Sequence, residues 1–260
     1  MNLDNRVVVV KSDKNKFLAV IEKGKEFVTN EGKIQFDNLQ TLPSKLISSS
    51  GFEFKIYSPT YKEFVLLMKR GPQIIYPKDL GQIIVEADVS SNSTVLEIGT
   101  GSGALTLFLF KILKDNGNLY TLDISKQNQR RAQKTISRFF NQTSSENDFK
   151  SVNYINSDIE DFNFSDISDH VDSVITDIPE PWLFFLNNEV NKNINWVSYL
   201  PNLTQVQKII NSLTDNGFEN LEVKEIILRD WVVDDKKLRP SNKMISHTGF
   251  LVSGQKIIFK

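Results

Sequence analysis

The chain contains no cysteine. Disulfides and thiolate nucleophiles are therefore excluded, and a reducing compartment fits the composition. Histidine is nearly as scarce. His170 and His247 are far apart in sequence and have no cysteine beside them, so a structural zinc site is not expected. Long apolar runs are also missing. The opening stretch MNLDNRVVVVKSDKNK holds only a four-valine run between charges, too short for a signal peptide or a membrane span. These absences lead us to expect a soluble, cytoplasmic protein with no membrane attachment and no metal. Neither charge sign dominates, with 31 Lys+Arg against 32 Asp+Glu. The balance hides an asymmetry: residues 1–78 carry 13 basic and 8 acidic side chains, and the remainder 18 and 24. A basic first part can attract a polyanion, although scattered lysines are more often plain solvated surface.

What is present is enough apolar material, 40% of 260 residues, for one large domain or one large and one small. The first 57 residues read as short strands. RVVVVKS and KFLAVIE are rich in β-branched residues, EFVT and IQF flank a glycine-containing turn, and FEFKIY alternates apolar with polar. Strands this close together suggest a small barrel or sandwich. SPTYKEFVLLMKRG then changes period. Ser58 precedes Pro59 at a first helical position, Phe64, Leu67 and Met68 recur at helical spacing, and Gly71 is the stop. We expect a β-barrel-like domain over 1–57, a connecting helix and loop over 58–78, and a larger domain over 79–260.

From Asp79 onward, helices and strands alternate. Helices are expected at 79–88, 103–114, 125–140, after Pro179 and Pro181, and at 203–215, the last closed by Asn216-Gly217. Strands are expected at 94–98, 118–123, 152–156, 171–176, 195–200, 219–229 and 248–258. Alternation of this kind implies a parallel sheet covered by helices on both faces. The final two strands lack a crossover helix, so one of them can pair antiparallel. Residues 141–150 read as a polar surface loop.

Chemistry concentrates at strand ends. Glu97-Ile98-Gly99-Thr100-Gly101-Ser102-Gly103 lies between the first parallel strand and its helix, where an open α/β sheet places a ligand. Glycines permit a tight turn and close backbone approach, and the helix start offers free N–H groups. The alternative is a tight turn with no ligand. Asp123 ends the second strand, 20 residues after Gly103, where a carboxylate can accept both ribose hydroxyls. A nicotinamide dinucleotide would satisfy that position too, but the glycine spacing here is Gly-x-Gly-x-Gly. Asp158 follows the third strand and can receive an adenine amino group or cap a turn. Asp177 ends the fourth strand in DIPEPW, either as a reactive carboxylate or as an Asx turn. Pro179 and Pro181 stiffen the backbone after it and remove two donors. Trp182 can stack on a base or pack on the sheet.

VLEIGTGSGALT resembles the first motif of class I S-adenosylmethionine-dependent methyltransferases. MKRGPQIIYPKD (68–79), DIPEPW (177–182), YLPNLTQ (199–205) and LRPSNKMISHTGFLV (238–252) resemble one family in particular, the tRNA adenine-58 N1-methyltransferases, in the same order. The resemblance implies a class I methyltransferase (Rossmann-like) fold, doubly wound with a mostly parallel sheet and a small N-terminal β-domain. It also implies methyl transfer from S-adenosylmethionine to N1 of an adenine in the T-loop of tRNA, and a homotetramer. Residue by residue, it implies that Gly99, Gly101 and Gly103 line the methionine part of the cofactor, and that Glu97, Ser102, Ala104, Ile124 and Ile159 are among the residues that bind it. Asp123 would hold the ribose, Asp158 the adenine, and Gln73 and Tyr76 would close over the pocket. Asp177 would be the catalytic acid, also touching cofactor, with Tyr199 near the target base. Trp182, Arg239, Lys243 and His247 would face the RNA; solvated basic groups and a hydrogen-bonded structural histidine are the alternatives. Asn242, Lys243 and Ser246 depart from the family's usual Arg or His, and Gly. The rival readings are a small-molecule methyltransferase on the same fold, an N6-adenine methyltransferase with its looser Asp-Pro-Pro-Tyr likeness, and a non-catalytic RNA-binding paralogue.

Overall fold

The computed structural model describes residues 3–68, 73–113, 116–140, 152–167, 170–234 and 237–259. Gly71, expected to stop a helix, and the expected loop 141–150 lie outside the described residues. Two compact units divide the chain: Met1–Pro72 with Gln133–Asp148, and Gln73–Ala132 with Phe149–Lys260. Residues 58–72, expected as part of a connector, group with the first unit, as does the segment from Gln133.

In the first unit, β1 (Val7–Lys11), β2 (Lys16–Val20), β5 (Ser44–Ile47) and β6 (Glu53–Tyr57) form one antiparallel sheet of order β2-β1-β6-β5. A separate hairpin pairs β3 (Glu26–Thr29) with β4 (Gly32–Gln35). Among the described residues this ladder is open, with β2 and β5 at its edges. β1 is an inner strand, and all four of its valines are buried. That burial is why the run is continuous rather than alternating. β6 does alternate: Phe54 and Ile56 enter the core with Val8, Val10, Ile34 and Phe36, while Glu53 reaches Lys45 across the strands at 2.9 Å.

Helix α1 (Tyr61–Leu67) begins two residues later than the Pro59 start expected from the sequence. Thr60 is its cap. The Thr60 hydroxyl accepts from the Glu63 N–H at 3.2 Å, and the Glu63 carboxylate accepts from the Thr60 N–H at 3.0 Å. This reciprocal box satisfies two donors that a Ser58 cap would leave open. Glu63 also accepts from Lys16 Nζ and the Tyr57 hydroxyl. These hydrogen bonds outweigh a burial cost that pushes the other way, and hold its carboxyl down at about 2. Phe64 meets Phe139 edge-on at 5.2 Å.

The second unit carries a seven-stranded sheet of order β12-β15-β11-β10-β7-β8-β9. Its strands are β7 (Thr94–Ile98), β8 (Asn118–Leu122), β9 (Val152–Ile155), β10 (Ser173–Thr176), β11 (Ile194–Leu200), β12 (Phe218–Glu225) and β15 (Phe250–Lys256). β7 to β11 pair in parallel, while β15 runs antiparallel between β11 and β12. The helices of this unit are α2 (Pro77–Glu86), α3 (Ala104–Leu113), α5 (Phe184–Asn187), α6 (Leu203–Asp215) and the first half of α4 (Lys126–Phe140), whose residues from Gln133 on belong to the first unit. The helix expected after the prolines is a 3-10 turn, Pro181–Leu183, followed by the single turn of α5. The strand expected to reach 229 stops at Glu225. An unforeseen hairpin follows it, β13 (Trp231–Asp234) with β14 (Lys237–Pro240).

Strand order fixes where a ligand can enter. From β7 the chain winds outward through β8 and β9, then returns to place β10 on the other flank of β7. The carboxyl ends of β7 and β10 therefore diverge at the topological switch point, the standard crevice of an open parallel sheet. Beneath it lies a core centred on fully buried Trp196, with Phe184 edge-on to it at 5.2 Å and Phe218 at 6.0 Å.

Candidate active site

The loop after β7 owes its shape to two close approaches. A Cβ on Gly99, whose φ is +103°, would come within 2.5 Å of the Asp177 carbonyl oxygen. A Cβ on Gly103, at φ +79°, would come within 2.5 Å of the Ala132 Cα on α4. Any side chain there would force the strand ends or helices apart. Gly101, by contrast, has φ +51° and its imagined Cβ meets nothing nearer than 4.0 Å. Its bare backbone faces open space, which suits a bound group. Ser102 and Ala104 are buried at the helix entry.

Glu97 lies directly below this loop and is fully buried. Thr106 donates to its Oε1 at 3.0 Å, and its Oε2 has no partner. Burial raises the carboxyl to about 8; the Thr121 and Thr106 hydroxyls oppose the shift, and the charges of Asp177 and Asp123 add to it. Strand register sets Glu97, Thr121 and Tyr154 side by side across β7, β8 and β9. Thr121 is itself paired with the Thr100 hydroxyl at 2.7 Å. The Tyr154 hydroxyl is buried without a partner, and burial together with the Glu97 charge raises its pKa. Sequence reasoning missed Tyr154, since an aromatic in a strand reads as core.

Asp123 is nearly buried at the end of β8 and ties the loops together. Its carboxylate accepts from the Gly101 N–H at 3.0 Å, the Ser125 N–H at 2.7 Å and the Asn128 amide at 3.1 Å. Asn156, just past β9, donates to the carbonyls of Asp123 and Ile124 at 2.9 Å. Neither Asn128 nor Asn156 stands out in the sequence; each is an ordinary polar residue whose partner is set by strand adjacency. The Ile124 side chain is exposed, whereas Ile159 is in the core. Asp158 is half-buried and accepts from the Glu160 N–H at 3.3 Å, the geometry of a turn cap.

Asp177 continues β10, its N–H donating to the Ile98 carbonyl at 2.8 Å. Its carboxyl has no hydrogen-bond partner among the described residues, and burial alone raises it to about 7. The following DIPEPW turn is pinned from α6. Gln205 donates to the Pro179 carbonyl at 2.9 Å, and Lys208 Nζ sits 4.8 Å from the centre of the Trp182 ring. Trp182 packs against the core cluster.

A buried polar chain flanks this region. Lys78 Nζ donates to Asp79 Oδ1 at 2.8 Å, to the Ile226 carbonyl at 2.5 Å and to the Thr248 hydroxyl at 2.6 Å. The Thr248 hydroxyl donates to Asp79 Oδ2 at 2.7 Å, and the Tyr199 hydroxyl donates to the Thr248 carbonyl at 2.5 Å. Burial raises the Tyr199 phenol, as do the charges of Asp79, Asp177 and Tyr76; the Thr248 bond opposes them. Tyr199, Asp177 and Tyr76 thus share one electrostatic neighbourhood. Tyr76, half-buried, immediately precedes α2, and Gln73 is exposed.

The remaining candidates lie apart in kind. Arg239 is exposed and donates to the Pro240 carbonyl and Asn242 Oδ1, both at 3.2 Å. Lys243 is exposed. His247 has both ring nitrogens engaged, Nδ1 with Glu225 at 2.6 Å and Nε2 with the Pro201 carbonyl at 3.2 Å. The Glu225 carboxylate raises its pKa. Among the described residues no group of acids and histidines is arranged to hold a metal, and no helix is long and apolar enough to cross a membrane.

Comparison with known proteins places this geometry. The family described as tRNA methyltransferase complex GCD14 subunit matches residues 51–254. The tRNA (adenine(57)-N(1)/adenine(58)-N(1))-methyltransferase TrmI of Methanocaldococcus jannaschii is 30% identical, over 90% of this chain and 92% of its own. The tRNA (m1A58) methyltransferase TrmI from Aquifex aeolicus superposes with a TM-score of 0.78 at 29% identity, over 99% of each chain. A SAM-dependent O-methyltransferase from Thermotoga maritima reaches a TM-score of 0.86 over 100% of this chain and 96% of its own; at 22% identity the likeness is one of fold. Because the matched span takes in the glycine loop, the Asp177 turn and the Tyr199–Thr248 contact together, the chain belongs to the tRNA methyltransferase complex GCD14 subunit family.

Proposed function

We propose that this protein transfers a methyl group from S-adenosylmethionine to N1 of adenine-58 in the T-loop of tRNA. The observation that carries the reading is the pairing at the switch point: a partnerless Asp177 carboxyl one strand away from a glycine loop whose Gly101 opens into free space. The residues present fit the cofactor. The orphaned Glu97 Oε2 suits its ammonium, bare Gly101 admits close approach, and the Asp123 carboxylate stands at the end of β8, where a ribose hydroxyl can replace the Asn128 amide as its donor. When bound, S-adenosylmethionine supplies an electrophilic methyl group on a sulfonium.

The protein's task is then alignment and charge. Adenine N1 carries a lone pair at neutral pH and needs no base to expose it. Methylation leaves the ring cationic. The Asp177 carboxylate, beside the exocyclic amino group, orients the base and stabilises that growing charge. A carboxyl poised at about 7 is also able to take the amino proton onto its oxygen as the product neutralises. Tyr199, held by Thr248 and Gly249, is a fixed wall for the purine. Access to an adenine inside folded tRNA requires extruding it or opening the loop.

We further propose a cytoplasmic homotetramer. What supports self-association is an exposed apolar run on β13 and β14, where Trp231 is 55%, Val233 80% and Leu238 73% exposed. A two-stranded hairpin displaying such side chains gains stability by being covered.

The test is to incubate the protein with unmodified tRNA and labelled cofactor, digest, and locate the methylated nucleoside. Label in 1-methyladenosine at position 58, blocking reverse transcription, supports the proposal. Label in N6-methyladenosine, or only in small metabolites, overturns it.

A further inference from the structure

We propose that Glu97 holds a proton in the empty enzyme and gives it up to solvent when the ammonium group of the cofactor settles beside it, so that cofactor uptake is coupled to proton release. The inference rests on reading the glycine-loop pocket as the S-adenosylmethionine site.

The surroundings of Glu97 dictate its protonation. The residue is fully buried; the Thr106 hydroxyl donates to its Oε1 at 3.0 Å, and its Oε2 has no partner. An isolated buried carboxylate costs several kcal/mol, and a group in that position ordinarily neutralises. Every titratable group that bears on it deepens the cost. From β8 comes the Asp123 carboxylate, from β9 the Tyr154 phenol, and from the end of β10 the Asp177 carboxyl, while the Thr121 hydroxyl on β8 opposes them. α3 supplies the Thr106 hydroxyl, while its Lys111 is exposed to solvent. Among the described residues no lysine, arginine or histidine pairs with Glu97. The cation the carboxylate needs must therefore come from outside the protein.

Two unmatched polar atoms mark where it goes. Glu97 Oε2 and the Tyr154 hydroxyl are both buried without partners, on strands separated only by β8. Buried polar groups are nearly always paired, so two orphans in one electrostatic neighbourhood point to a missing partner. An ammonium, with three donors and no acceptor, satisfies both. It donates to Glu97 Oε2 and to the phenolic oxygen. The exchange balances simply: neutral Glu97 carboxylic acid and the ligand's ammonium become a carboxylate–ammonium pair, the acid proton passes to buffer, and no covalent bond to the ligand forms.

Calorimetry at pH 7, in buffers of unequal ionisation heat, counts the protons. S-adenosylmethionine and S-adenosylhomocysteine both carry the ammonium; 5′-methylthioadenosine carries neither ammonium nor sulfonium. Both amino-acid-bearing ligands are expected to release about half a proton or more, allowing for the partly neutral amine of the free ligand. The truncated nucleoside is expected to release far less. Release with S-adenosylmethionine alone would assign the proton to the sulfonium and Asp177, and overturn the proposal. Glu97→Gln should abolish the release seen with S-adenosylhomocysteine; unchanged release overturns the proposal. Should that variant fail to fold, infrared difference spectra of the wild-type protein decide. The carbonyl stretch of a buried carboxylic acid must disappear on adding S-adenosylhomocysteine, and a spectrum without that loss overturns the proposal. Binding without proton exchange sinks this inference alone, whereas no binding at millimolar ligand sinks the cofactor reading and this inference with it.

Discussion

The ring of Tyr199 lies so close to Gly249 that a methyl group on the glycine would stand 2.5 Å from the ring Cζ, and the Tyr199 hydroxyl donates to the carbonyl of the preceding residue, Thr248. The close approach and the hydrogen bond lock β11 to the entry of β15. Gly249→Ala should displace the ring. Overpacking of this kind costs about 1–3 kcal/mol, and misplacing the proposed wall of the purine site should lower turnover by about tenfold or more. Thermal unfolding and single-turnover methylation measure the two effects. An alanine variant with wild-type turnover would remove Tyr199 from the site.

Asp177→Ala should leave cofactor affinity within a few-fold of wild type and cut turnover by about two orders of magnitude, the scale for one preorganised charged group. Calorimetry and a tRNA methylation assay separate the two. Equal losses in both would mean that Asp177 serves binding rather than catalysis.

Asp177 is raised to about 7, and the proposed mechanism uses its ionised form. Turnover should therefore climb as pH rises toward 7 and level off above it. Asp177→Asn should flatten the profile at a lower rate. A wild-type profile already flat below pH 6 would contradict this assignment.

Stability of the empty protein should move the other way. Glu97, raised to about 8, and Asp177 both hold protons more tightly when folded than when unfolded. Their contribution is fully present below the unfolded values. It is lost as pH rises through about 7 for Asp177 and about 8 for Glu97. Melting temperature should fall across this window, and Glu97→Gln should reduce the slope. A steeper slope in the variant would refute the assignment.

Lys78 and Asp79 form an ion pair whose side chains are 7% and 0% exposed. Lys78→Met would strand a buried carboxylate and should cost about 3–5 kcal/mol. Adding Asp79→Leu should recover part of that loss. Urea unfolding of the wild type and both variants decides; a single variant costing under about 1 kcal/mol would show that solvent reaches the pair.

Much of the scaffold is legible in the sequence because burial writes regular patterns. The spacing predicts β7 at 94–98 and α6 at 203–215, and both are found there. Asn202 caps α6 through the Gln205 N–H, and Gly217, at φ +70°, lies just past its end. The β13–β14 hairpin is not legible because its large apolar residues face outward, leaving no buried face to set a period. The polar chain through Lys78, Asp79 and Thr248 is hidden for a different reason: Asp79 and Thr248 are 169 positions apart. Local spacing carries no trace of such a bond, and Tyr154 likewise acquires meaning only beside Glu97 in the folded sheet.

β15 sits between β11 and β12, hydrogen-bonded to each. During synthesis the earlier strands can zip together as they emerge, but β12 has no neighbour to join until residues 250–256 leave the ribosome. Thr248 and Gly249, which brace Tyr199, arrive in the same stretch. A nascent chain should thus be unable to capture RNA productively until that stretch has left the ribosome and paired.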